Sequence, residues 1–291
     1  MAGSDLARTV FGLRFQNPVL LAAGTAGFGR ELDGVMDLER LGGLVTKAVS
    51  VTPREGNPAP RVAEFRGGML NSVGLANPGL TAVRDRYLPW LAGRLRRAQV
   101  LVNVVGFTVE EYAEVVSGLD GAPGIAGFEL NLSCPNTSAG GIEFGASAEC
   151  VERIVALCRT RTRRPLVAKL SPVLPDIPGI ALVARDAGAD GVTVVNTLPG
   201  LLHGEAGRPR LGSGNGGVSG PALLAVGVLA AARVVERTGG MPVIGCGGVR
   251  SAEDVRQYLQ VGASLVAVGT AAMADPRLPE RIVRDLERAD G

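Results

Sequence analysis

The 291-residue sequence predicts an α/β fold, a (β/α)8 barrel with long loops at the C-terminal face of its strands. Three observations predict it. Apolar runs rich in Val, Leu and Ile recur eight times, each followed by a stretch of helical spacing. The runs are continuous rather than alternating, as in strands covered on both faces. The polar and glycine-rich segments fall almost wholly after the strand ends, the face that carries the site in such barrels. A doubly wound sheet is the alternative for alternating units, but eight units in this length suit the closed form better. No Pro/Ser/Gly-rich linker divides the chain, so residues 1–291 are expected to form one domain.

The first strand is expected at residues 18–22. A helix over 30–41 follows, with Leu32, Met36, Leu38 and Leu41 as its apolar positions. The second strand is 44–47; a long polar segment then leads to a helix over 81–97. Strand 100–105 precedes helix 108–117, and strand 127–132 precedes helix 148–160. In the latter, Val151, Ile154, Val155 and Cys158 keep helical spacing. Strands 166–170, 191–196, 242–245 and 265–268, with helices 177–187, 221–238, 252–261 and 278–289, complete the eight units.

Composition excludes several classes. With 46% hydrophobic and 20% charged residues, the chain is not a disordered polymer. A net charge of +2 gives no basic excess for nucleic acid or an anionic membrane. The single histidine, His203, rules against a His-based zinc site or a Ser–His–Asp triad, and its loop position suggests no role. Four cysteines without a C-x-x-C pair fit a reduced, cytoplasmic protein. No stretch has the length of a membrane span, and residues 1–16 lack the pattern of a signal peptide.

Chemistry concentrates after the strands. Gly247 and Gly248 after the seventh strand, with Gly269 and Thr270 after the eighth, suit a phosphate, because barrels place one there and glycines let amides approach it. Alone, such glycines would only make turns. The run Asn131-Leu132-Ser133-Cys134-Pro135-Asn136 closes the fourth strand, and alternation from Asn131 puts Ser133 on the same side. A thiolate at Cys134 is a competent base, with an ordinary pKa of about 8.5, although a lone turn cysteine is more often inert. The chain has two lysines, Lys47 and Lys169, both at strand ends; each suits a phosphate anchor, a flavin contact or a Schiff base. Asn71-Ser72-Val73-Gly74-Leu75 and Asn196-Thr197 add amide and hydroxyl groups at the same face.

The motifs resemble one family. Thr46-Lys47, residues 53–58, residues 71–79, residues 131–136, Lys169-Leu170-Ser171-Pro172 and Ser219-Gly220-Pro221 are similar, in order, to those of class 1 dihydroorotate dehydrogenases, the soluble FMN enzymes of pyrimidine biosynthesis. The resemblance runs from Asn17 to Thr270. It implies that Cys134 is the base at C5 of dihydroorotate and that a hydride passes from C6 to FMN. It places substrate on Lys47, Asn71, Ser72, Val73, Gly74, Leu75, Asn131, Asn196 and Thr197. FMN is placed on Ala23, Lys47, Ala48, Asn103, Asn131, Lys169, Val195, Gly220, Gly247, Gly248, Gly269 and Thr270. Residues 140–145 resemble class 1B, which implies a partner subunit carrying FAD and a 2Fe–2S cluster that passes electrons to NAD, around a homodimer core. This chain has no cysteine spacing for such a cluster. The glycines of residues 135–145 would permit a lid over substrate. Two departures stand out: Ala23 replaces the family's usual serine, and residues 198–216, around His203, differ from the pattern. Competing readings are a fumarate-linked enzyme, a flavin-dependent dihydropyrimidine dehydrogenase, a Schiff-base lyase without flavin, and a non-catalytic flavin-binding barrel.

Overall fold

The computed structural model describes residues 6–133 and 144–289. A hairpin of β1 (Arg8–Val10) and β2 (Leu13–Phe15) comes first. Eight parallel strands then close a barrel: β3 (Val19–Leu21), β4 (Gly43–Val45), β7 (Gln99–Val104), β8 (Gly127–Asn131), β9 (Leu166–Leu170), β10 (Gly191–Val194), β13 (Val243–Cys246) and β14 (Leu265–Val268). All eight coincide with the strands expected from sequence, and each is buried because helices cover its outer face.

Two apolar clusters sit on either side of the barrel wall. The outer one packs strand residues such as Val100, Val102, Phe128 and Leu130 against the helices. The inner one joins Leu20, Val45, Leu101, Val167, Ile244 and Leu265 with Phe15 of the hairpin. Phe15 is fully buried, and the Phe11 ring stands against Gly191, the first residue of β10. The hairpin therefore plugs the N-terminal end of the barrel.

Helices α3 (Val109–Leu119), α4 (Ala148–Arg159), α5 (Ile177–Asp186), α6 (Leu223–Thr238), α7 (Ala252–Gln260) and α9 (Leu278–Ala289) lie close to their expected bounds. Thr108, Ser147, Asp176 and Ser251 cap four of them with side-chain oxygens that accept backbone N–H bonds, which fixes where those helices start. The expected helix at 81–97 is a continuous run of α1 (Gly79–Ala82), a π turn at Val83–Tyr87 and α2 (Leu88–Arg94).

Three expectations need correction. Residues 30–41 form two 3-10 turns, Arg30–Leu32 and Leu38–Arg40, instead of a helix. Asp33 turns extended, Asp33-Gly34 has poor helix propensity, and the Asp37 side chain starts the second turn. Leu32, Met36, Leu38 and Leu41 are buried all the same. Secondly, the long loops at 47–79 and 196–220 contain strands. β5 (Val62–Phe65), β6 (Gly68–Asn71), β11 (Leu198–Gly200) and β12 (Gly216–Ser219) make an antiparallel sheet in the order β11-β12-β6-β5. Ala63, Leu70 and Leu211 form its small core. Thirdly, β8 ends at Asn131, so strand alternation does not carry on to Ser133, which sits in a turn.

Candidate active site

One polar layer interrupts the apolar interior near the C-terminal end of the barrel. Glu129 of β8 is 1% exposed and lies inside the ring. Its Oε1 accepts from Asn103 Nδ2 and its Oε2 from Thr193 Oγ1, both at 2.7 Å. Lys169 Nζ stands 4.0 Å from Oε1. Strand register brings them together: Asn103 pairs with Glu129, and Lys169 with Thr193. Burial, the largest influence, pushes the Lys169 ammonium down; attraction to Glu129 and, second, to Cys246 together outweigh it, so its pKa is raised and the side chain stays charged. Cys246, at the end of β13, joins this layer. Burial pushes its thiol up, against the pull of Lys169. The thiol is therefore neutral at pH 7.

Burial also pushes the Cys158 thiol up to about 12. Only thiolates attack disulfide reagents. Cys158 and Cys246 are therefore expected to stay unlabelled by an aromatic disulfide at pH 8 in the native protein, and to react once urea unfolds it. Mass spectrometry of the labelled peptides checks this. Rapid native labelling of either would contradict the burial assigned here.

Asparagines stand above this layer. Asn131 Oδ1 accepts from Asn196 Nδ2 at 3.4 Å and from the Ser133 amide at 3.3 Å, while its carbonyl accepts from Tyr112 Oη at 2.7 Å. The Thr197 amide donates to Asn196 Oδ1 at 3.0 Å. Asn71 ends β6 and donates through Nδ2 to the Gly217 carbonyl at 3.2 Å. Residues 71–77 are locked to 54–57: Asn57 Nδ2 donates to Ser72 Oγ at 2.7 Å, the Asn57 amide donates to the Val73 carbonyl at 3.1 Å, and Arg54 and Asn77 exchange backbone bonds. Gly74 packs on the Asn57 side chain, leaving no room for a Cβ. Leu75 holds φ +58, and Asn77 Nδ2 donates to its carbonyl at 2.8 Å. Lys47 and Ala48 follow β4; the Lys47 amide donates to the Gly27 carbonyl, and the Val49 amide, two residues on, donates to the Asn103 carbonyl.

A family model for dihydroorotate dehydrogenase matches residues 5–289. The chain belongs to the dihydroorotate dehydrogenase family. It is 43% identical over 98% of its length, and 93% of the relative, to a protein of Pelobacter propionicus named dihydroorotate dehydrogenase B (NAD(+)), catalytic subunit. A protein of the same name from Desulforudis audaxviator is 45% identical, covering 96% of this chain and 90% of the relative. A protein of Solibacter usitatus, named putative dihydroorotate dehydrogenase A (fumarate), is 46% identical over 97% of this chain and 92% of the relative.

Glycines stand at the other side of the mouth. Gly220 follows β12, Gly247 and Gly248 follow β13, and Gly269 follows β14. Thr270, which opens the short α8 (Thr270–Ala274), donates through Oγ1 to Ser219 Oγ at 2.8 Å. Gly248 holds φ +78 against the first turn of α6; an added Cβ would lie 2.3 Å from the Leu224 nitrogen. A methyl there is incompatible with both the backbone and the helix. By contrast, a Cβ on Gly269 would meet only Ala22 Cβ at 3.6 Å and Thr25 Oγ1 at 4.0 Å. Ala23 is half-buried after β3, and Val195 is buried with its amide on the Cys246 carbonyl. The expected contact residues thus gather at one end of the barrel.

Cys134, Asn136 and residues 140–143 lie outside the described residues, so the expected base and the class 1B stretch up to Glu143 have no geometry here. His203 is exposed and bridges to Pro209. Among the described residues there is no group of three or more His, Cys, Asp and Glu that could hold a metal. No described helix is long and apolar enough to cross a membrane. Sequence reading missed Glu129, Thr193 and Tyr112. The signal for the first was a single charge within Gly127-Phe128-Glu129-Leu130-Asn131, two residues before a site asparagine and so on the same face.

Proposed function

We propose that this chain is the catalytic subunit of an NAD-linked dihydroorotate dehydrogenase, oxidising dihydroorotate to orotate in de novo pyrimidine biosynthesis, with FMN as cofactor. The observation that carries the reading is the polar layer Asn103, Glu129, Lys169 and Thr193 beneath Asn131 and Asn196, in a chain of this family. The residues present suit FMN. Asn103 Oδ1 and Ser133 Oγ are buried and have no hydrogen-bond partner among the described residues, so a polar ring can satisfy them. Lys169 supplies a positive charge for an electron-accepting ring, and the loops of Gly220, Gly247, Gly248 and Gly269 suit its phosphate.

When bound, FMN supplies the hydride acceptor for C6 of the substrate. The chain's own residues do the rest. Cys134 takes the proton from C5 as a thiolate, so the C5–H electron pair becomes the new C5=C6 bond. Lys47 balances the substrate carboxylate. Asn71, Asn131 and Asn196 meet the donors and acceptors of the planar ring, and the stretch Ser72 to Leu75, with Thr197, closes around it. Dihydroorotate and orotate differ by two hydrogens at C5–C6, so the asparagines bind both and the thiol decides the chemistry.

Within this reading the chain forms a homodimer core flanked by subunits that carry FAD and a 2Fe–2S cluster, in the cytoplasm. A second acceptor, fumarate, is supported by the name of the Solibacter usitatus relative. An anaerobic absorbance spectrum before and after dihydroorotate tests the reading. A yellow protein that bleaches supports it. A yellow protein that does not bleach removes the substrate, and a colourless one that cannot take up FMN removes the cofactor. Reoxidation by fumarate alone, rather than by NAD with a partner, selects the second acceptor.

A further inference from the structure

Among the described residues, Glu129 is the one buried charge in the barrel that the chemistry above leaves without a task. It lies one layer beneath the mouth, on the same strand face as Asn131. A carboxylate only accepts hydrogen bonds. Asn103 therefore meets it with Nδ2, which turns Asn103 Oδ1, a buried oxygen without a partner among the described residues, away from Glu129. Thr193 commits its hydroxyl proton to Oε2. Lys169, at 4.0 Å, is matched by charge but stands beyond hydrogen-bond length, so its N–H groups are not used up by Glu129.

We propose that Glu129 is a positioning residue that sets the polarity of the ring-binding floor: it makes Asn103 present an acceptor and Lys169 a positive charge. A flavin's pyrimidine edge carries an imide N–H beside carbonyl oxygens and an electron-poor nitrogen. An acceptor next to a cation complements that edge. With the Asn103 amide turned over, its NH2 would face an imide N–H, donor against donor. The titratable groups facing Lys169 are Glu129 from β8 and the neutral thiol of Cys246 from β13, while Thr193 of β10 adds no charge. Without Glu129 the ammonium is buried with no anion. The flavin part rests on the proposed function; the hold on Lys169 does not.

The experiment uses the two-lysine composition. Full-length protein labelled with carbon-13 at lysine Cε gives two side-chain signals, which Lys169→Met assigns. In the FMN-free wild type the Lys169 signal is expected to stay in its charged position through high pH. In Glu129→Gln its titration is expected to move to lower pH. Riboflavin, the ring without the phosphate, is expected to bind Glu129→Gln about tenfold more weakly, a loss the size of one good charged hydrogen-bond partner. The ratio of FMN to riboflavin affinity should stay constant, because the phosphate loops are untouched. A purely structural role would alter both affinities unevenly and leave the lysine titration in place. Equal Lys169 titration in the two proteins overturns the proposal. Glu129→Asp keeps the charge but draws it back by one methylene; if Glu129→Gln does not fold, an Asp variant with wild-type titration and wild-type riboflavin affinity overturns it as well. A wild type that binds neither FMN nor riboflavin counts against the flavin reading alone, and the lysine titration still decides the role of Glu129.

Discussion

Replacing Cys134 with alanine lowers the rate of anaerobic flavin reduction by dihydroorotate by about 10²–10⁴-fold, the usual contribution of a positioned base, while FMN stays bound. Under the proposed function, proton removal at C5 has to accompany hydride loss at C6, and of the residues proposed to meet the substrate Cys134 is the one whose thiolate is a competent base. The asparagines do not titrate, and Lys169, its pKa raised, stays charged and so is an acid rather than a base. Cys134→Ser restores a smaller fraction of the rate, because a hydroxyl is a far weaker acid than a thiol and gives less of the basic form. In the wild type, reduction speeds up as pH rises through the thiol's ionisation, since the deprotonated form is reactive. Stopped-flow traces across about pH 6–9, bracketing an ordinary thiol, provide both readings. Unchanged reduction in Cys134→Ala would remove the base from this residue.

Gly248→Ala is expected to unfold at markedly lower urea and to release FMN on gel filtration. Two costs add. The residue sits at φ +78, where an L side chain costs about 1–2 kcal/mol. Its methyl would also lie 2.3 Å from the Leu224 nitrogen, backbone that cannot swing aside without moving the first turn of α6. Together these put the loss at about 3 kcal/mol or more, in the range of the strongly disruptive substitutions. Gly239→Ala provides the comparison: φ +68 with nothing within 4 Å, hence the first cost without the second. If the two variants unfold at the same urea concentration, α6 is not pressed on Gly248 as described.

The barrel was legible because its strands are buried on both faces and read as plain apolar runs; even Gly127 to Asn131, with its glutamate, kept enough apolar character to mark β8. The rim sheet was not, for the opposite physical reason. β11 and β12 are short, glycine-rich and partly exposed, and they exist because distant partners supply their hydrogen bonds. Residues 30–41 show a related limit: burial of four apolar side chains selects their spacing, but two 3-10 turns satisfy that spacing as well as a helix does. At the site, Lys47, Asn71, Asn131, Lys169 and Asn196 were visible as polar residues at strand ends. Glu129 and Thr193 were hidden inside strands, where only side-chain pairing across the ring reveals them.

The rim sheet also constrains how the protein is made. β6 comes from the first third of the chain and β12 from the last, and the Asn71 side chain bonds to a carbonyl 146 residues further on. On a ribosome adding about 5–20 residues per second, Asn71 waits roughly 7–30 s for that partner to be synthesised. During this interval β5 and β6 form at most an isolated hairpin, with one backbone edge open to any other extended chain. The rim sheet is thus completed only once β12 has been made, and the barrel beneath it closes later still, when β13 and β14 arrive. A nascent or truncated chain that stops before Gly216 carries the polar layer of β7 to β10 but has no strand to close the rim above it.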